Sequence, residues 1–147
     1  MGVQDIARLR EETGAGMLDV KKALDNAGGD YEKAKEAIMA SGLAKAEKKG
    51  DRVAGAGHLE SYIHAGRIGV LLEIHAETDF VTRGEKFREA AKNIAMQISA
   101  TAPKTIEQLL AQPYLRDESM TIEQYVKSVI AQVGENVKVS RFARFQL

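Results

Sequence analysis

LESYIHAGRIGVLLEIHAETDFVTRGEKF, residues 59–87, decides the fold. Leu59, Ser61 and Ile63 alternate with Glu60, Tyr62 and His64, and Val70, Leu72 and Ile74 alternate with Leu71, Glu73 and His75. A period of two is the signature of a strand with one buried face. Ala65-Gly66 between the runs is a hairpin signal. Setting His64 opposite Arg67 places Ile63 across from Ile68, Ser61 from Val70 and Leu59 from Leu72, which gathers the apolar side chains on one face. After Glu77 the period changes. Thr82-Arg83-Gly84-Glu85 has the form of a capping box, with Thr82 as N-cap, Glu85 at the third helical position and Val81 as the preceding staple. Those roles leave Asp79-Phe80 unexplained. On the residues alone, a phenylalanine folded under the loop into the core is the plainer reading, and an exposed aromatic anchor for a partner is the sharper one.

Working outward toward the C-terminus, Phe87, Ala90, Ala91, Ile94 and Ile98 line one face of a helix that stops before Pro103. Thr105-Ile106-Glu107-Gln108 opens a short helix to about Ala111, and Thr121-Ile122-Glu123-Gln124 repeats the box. Ile122, Tyr125, Val126, Val129, Ile130 and Val133 then form the cleanest amphipathic stripe in the chain, closed by Gly134. Val137 to Phe145 reads as a last strand whose alternation blurs after Ser140. The second half is therefore an α+β layer: a small, mainly antiparallel three-stranded sheet packed with helices.

Toward the N-terminus, short helical runs are cut by glycines. Ile6 and Leu9 open the first, which stops at Thr13-Gly14. Val20, Ala23, Leu24 and Ala27 mark the second, which Gly28-Gly29 ends. Asp30 can cap the third, where Tyr31, Ala34, Ala37 and Ile38 form the stripe and Gly42 closes the run. Met17 and Leu18 sit on the corner after Gly14-Ala15-Gly16, with core packing slightly favoured over partner contact. The expected organisation is a three-helix module at 1–43, a linker at 44–57 (AKAEKKGDRVAGAG) and an α+β core domain at 58–147.

Composition narrows the function. The 147 residues carry 21 Lys+Arg and 21 Asp+Glu, so the formal charge is zero and a non-specific nucleic-acid binder is disfavoured. Absence of cysteine removes disulfides, a thiol nucleophile and Cys-ligated zinc. The most apolar stretch, Ile68 to Ile74, is interrupted by Gly69 and Glu73 and falls far short of the roughly 20 residues a membrane span needs. MGVQDIARLREE lacks an apolar signal core, and Ile6 stands where myristoylation wants Ser or Thr. A cytoplasmic protein without a membrane partner is expected. His58, His64 and His75 belong to the hairpin, but His64 near the turn and His75 near the far end do not converge on a metal. Gly55 and Gly57 lack the GxxxxGK[ST] pattern of a phosphate loop, and no G-x-S-x-G elbow is present. No nucleophile is paired with a base, so an enzyme, a catalytic residue or a cofactor is not expected.

Three stretches carry a resemblance. TGAGMLDVKKAL (13–24), GRIGVLLEIHAETDFVTR (66–83) and IAQVGENVKVSRFARF (130–145) are similar, in order, to the bacterial elongation factor Ts family, the guanine-nucleotide exchange factors of elongation factor Tu. The resemblance implies that the N-terminal bundle is ubiquitin-associated-like. It implies that Asp79 and Phe80 are an intruding pair flanked by Thr78 and Val81, with the ring entering the GTPase near its switch and Mg²⁺ region. Arg10, Met17, Leu18 and Lys21 would lie at the module's contact with a helix of the same domain. The sequence departs from the family at Leu18 and Val20, where Met and Cys are frequent. It also joins the helix ending near Ala102 to QPYLRD by only about ten residues where members usually carry a longer segment. Elongation factor Tu is the implied partner; a homodimer stays open. The competing reading is a ubiquitin-associated-type peptide-binding adaptor, in which Asp79-Phe80 has no task. An RNA-binding module and a small hydrolase fit less well.

Overall fold

The computed structural model describes residues 2–147. Helices α1 (Val3–Thr13), α2 (Met17–Asn26) and α3 (Tyr31–Lys49) come first. They are followed by β1 (Ala56–His64), β2 (Ile68–Ala76), α4 (Asp79–Thr82), α5 (Glu85–Thr101), α6 (Ile106–Ala111), β3 (Pro113–Tyr114), β4 (Asp117–Thr121), α7 (Ile122–Val133) and β5 (Lys138–Gln146). The expected α+β class and the three-stranded antiparallel sheet are both present, with strand order β1-β2-β5. Helix α5 lies across β1 and β2, α7 lies against α5, and α3 lies against α7.

The hairpin register differs from the sequence expectation by one residue. His64 pairs with Ile68, Tyr62 with Val70, Glu60 with Leu72 and His58 with Ile74. Ala65 and Gly66 both have positive φ, at 51° and 66°, and the Arg67 N–H donates to the His64 carbonyl at 2.9 Å. Arg67 is thus an extra residue beyond the two-residue turn, and it slides one strand against the other. Val70, Leu72 and Ile74 still face the core. Leu59 and Ile63 move to the opposite face with Leu71 and Phe145, where all four are exposed. The blurred alternation of the last strand has a related cause. A bulge opposite Glu73/Ile74 leaves Ser140 unpaired and resets the alternation. Val139 points inward before the bulge and Phe142 packs inward after it.

The third helix does not stop at Gly42. It runs to Lys49, so the segment expected as a linker, 44–57, is helical in its first part and strand in its last. The physical reason is packing. A Cβ at Gly42 would meet the Ala131 methyl of α7 at 3.3 Å, so the glycine permits close helix approach rather than capping the helix. One turn on, Ala46 is buried in the core of the second half. The helices α1–α3 keep a small core of their own, built from Leu9, Val20, Ala23, Leu24 and Ala34.

The β3-β4 hairpin was not anticipated, and it occupies the short joint between α6 and α7. Gln97 of α5 secures it: its Nε2 donates to the Pro113 carbonyl and to Gln112 Oε1, each at 3.1 Å, and its Oε1 accepts from the Leu115 N–H. Asn93 does the same nearby, donating to the Tyr125 hydroxyl and accepting from Arg116. Buried amides with every side-chain group engaged fix one arrangement of helix on hairpin.

Candidate functional site

The loop after β2 is built from its cap upward. Thr78 has extended backbone, and its hydroxyl accepts from the Val81 N–H at 3.4 Å, making it the N-cap of α4. The expected box at Thr82-Glu85 is absent, because one turn of helix forms earlier. Thr82 closes that turn, its hydroxyl donating to the Asp79 carbonyl at 3.1 Å, and Gly84 stands at the start of α5 without a side-chain cap bond. Arg88 reaches back from α5 to donate to the Thr82 carbonyl at 2.7 Å.

A single turn of helix sorts its side chains cleanly. Val81 and Thr82 are buried beneath it, whereas Asp79 and Phe80 point outward. Phe80 is 88% exposed, which removes the reading of a ring folded under the loop. Val81, expected at the contact surface, packs into the core instead, because the turn places it on the side facing the sheet and α5. Thr78 is exposed, yet its polar groups are already engaged. The Glu135 carboxylate accepts its N–H at 2.9 Å and its hydroxyl at 2.8 Å.

The residues expected on the N-terminal module form a second exposed group. Met17 and Leu18, for which core packing was favoured, are 48% and 82% exposed. They open α2 as its first two residues, and the stripe that packs the bundle begins only at Val20. Arg10 and Lys21 are also exposed. Gly14, with φ 70°, ends α1 and sends the chain into the corner that carries Met17 and Leu18.

The histidines make local contacts: His58 Nε2 with Glu60 at 2.9 Å, His75 Nε2 with Glu73 at 3.1 Å, and His64 Nδ1 with the Tyr62 hydroxyl at 3.0 Å. Glu73 also accepts from Arg141 at 3.1 Å. The His75 contact first, and Arg141 with it, holds the Glu73 carboxyl below the ordinary range.

Sequence reasoning missed the residues that brace the Phe80 loop. Asn136 is buried, and its N–H donates to Glu77 Oε1 at 2.9 Å. Its side-chain amide donates to the carbonyls of Arg52 at 2.8 Å and Gly50 at 3.3 Å. Arg52 in turn lies 3.7 Å from Glu77. The partners of Glu135 and Asn136 lie more than fifty positions away in the chain, so no local periodicity could mark them.

The family model described as Elongation factor TS matches residues 77–147. Among curated proteins, Elongation factor Ts of Gloeothece citriformis is 40% identical over 189 residues, covering 97% of this chain and 66% of that protein. Elongation factor Ts of Desulforamulus reducens is 40% identical over 188 residues, covering 97% and 87%. That of a Nostoc species is 46% identical over 143 residues, covering 97% and 45%. The chain therefore spans only part of these relatives, in one case less than half. The first two alignments are longer than the 147 residues of this chain, so those relatives carry segments without a counterpart here; the Nostoc alignment is not.

Proposed function

Because the chain belongs to the elongation factor Ts family, we propose that it is a translation elongation factor that promotes GDP release from elongation factor Tu. The observation that carries this reading is the Asp79-Phe80 turn: an aromatic ring 88% exposed, on a helical turn capped by Thr78 and braced by Glu135. Aromatic anchors of this kind dominate interfaces when they enter a partner's pocket.

The mechanism is coupling between two binding events. GDP is held on the GTPase largely through its phosphates and Mg²⁺. A protein that binds the empty GTPase more tightly than the loaded one weakens nucleotide binding by the same factor, by linkage. Phe80 is the wedge that displaces groups ordering the Mg²⁺ and β-phosphate region. The Asp79 carboxylate disturbs polar contacts beside it. Met17, Leu18, Arg10 and Lys21 supply a second contact from the ubiquitin-associated-like bundle of α1, α2 and α3. No covalent step is required, and the work is done in the cytoplasm without a cofactor.

Stopped-flow release of fluorescent GDP from elongation factor Tu tests this. Phe80→Ala should slow the stimulated release by roughly thirty-fold, the size of an interface hot spot of about 2 kcal/mol. Its melting temperature should be unchanged, since the ring is not part of the core. Stimulated release within twofold of the parent would overturn the wedge.

A further inference from the structure

Both exposed loops are fastened to the same short piece of chain. At its upstream end, the Gln132 side chain lies over the α1–α2 corner. Its Nε2 donates to the Thr13 carbonyl at 3.4 Å, and a Cβ added at Gly14 would fall 2.6 Å from its Cγ. That corner leads directly to Met17 and Leu18. Three residues further on, Glu135 grips both polar groups of Thr78, the cap of the turn that presents Asp79-Phe80. Asn136 then joins the end of β2, through Glu77, to the carbonyls of Gly50 and Arg52, just past α3.

We propose that residues Gln132 to Asn136, at the end of α7, are a positioning element that holds the two exposed loops at one fixed separation, so that they engage a single partner as one two-point surface. The proposal rests on the exchange reading. Its physical basis is effective concentration. Once one loop has docked, the second reaches its site without further search only if the spacing is already correct. A braced loop also loses less freedom on docking than a loose one. The charge-assisted pair of bonds from Glu135 is the strongest single element of the brace. None of these residues needs to touch the partner.

The test is fluorescent-GDP release from elongation factor Tu, recorded across a range of concentrations of the full chain. Glu135→Ala should slow stimulated release about tenfold, well below the full worth of two charge-assisted hydrogen bonds, because both are solvent-exposed and water replaces them in part. Glu135→Gln should remain within about twofold of the parent, because its amide oxygen can accept the Thr78 N–H and its NH₂ can donate to the hydroxyl. In a Phe80→Ala background, Glu135→Ala should cost less than about twofold further, because a brace matters only through what it holds. Gln132→Ala should raise the concentration giving half-maximal release, and that effect should vanish when Leu18→Ala is also present. Each variant is melted in parallel. If Glu135→Ala does not fold, Thr78→Val, which removes the hydroxyl's bond to Glu135 together with the cap it gives the Val81 N–H, is judged by the same double-variant criterion against Phe80→Ala. Undiminished multiplication of Glu135→Ala onto Phe80→Ala, or a Gln variant as slow as the Ala variant, would overturn the positioning role. A parent chain that fails to accelerate GDP release would instead overturn the exchange reading itself.

Discussion

Phe80 shows how far a residue can be read alone. Asp79-Phe80 was conspicuous in the sequence because the neighbouring cap roles did not account for it, but its direction was not legible. That direction depends on which threonine caps the turn, and Thr78 and Thr82 are both good caps. Thr78 wins because Glu135, fixed by the rest of the fold, binds its N–H and hydroxyl. Met17 and Leu18 failed for a simpler reason: apolar residues at a helix start precede the stripe, and the stripe alone decides burial. Another residue-scale arrangement is Glu12, which lies 2.9 Å from both Arg8 and Lys35. Lys35 above all, with Arg8, lowers its carboxyl to about 2. A depressed carboxyl adds stability above the unfolded value near 4.5 and loses it as pH falls toward 2. Thermal melts between pH 6 and pH 2.5 should therefore show a steeper acid-side decline in the parent than in Glu12→Gln.

At the level of elements, α7 was legible almost to its ends, since its stripe and caps agree, whereas α3 overran its expected stop at Gly42 and α5 starts at Glu85 rather than from a cap at Thr82. Thr121 and Gln124 form the full reciprocal box that the sequence predicted for α7. At α6, Thr105 accepts from Gln108 but Gln108 turns to the Lys104 N–H. Thr121→Ala should accordingly destabilise the protein by about 1 kcal/mol in urea unfolding, the usual worth of an N-cap. The strands were legible as strands but not in register. The apolar pattern of β1 and β2 was satisfied equally well on paper by a pairing that hid Leu59 and Ile63. The turn geometry at Ala65-Gly66-Arg67 overruled it. Local alternation cannot weigh a turn residue that inserts itself between two strands.

Across the whole molecule, the sequence suggested two bodies on a tether, and the glycine-dotted composition of 44–57 was the reason. What it concealed was that Gly42 lies against α7 and Ala46 is buried in the core of the second half, both meeting chain that comes some eighty positions later. The single helix α3 therefore contributes side chains to both cores, and the ion pair of Lys127 with Glu47 at 3.2 Å spans the same seam. A flexible string would let the small bundle tumble by itself in solution. A rod with side chains in both hydrophobic interiors does not. Backbone ¹⁵N relaxation should consequently return one rotational correlation time for amides in α2 and in β2, whereas two distinct times would mean that the bundle reorients freely of the sheet.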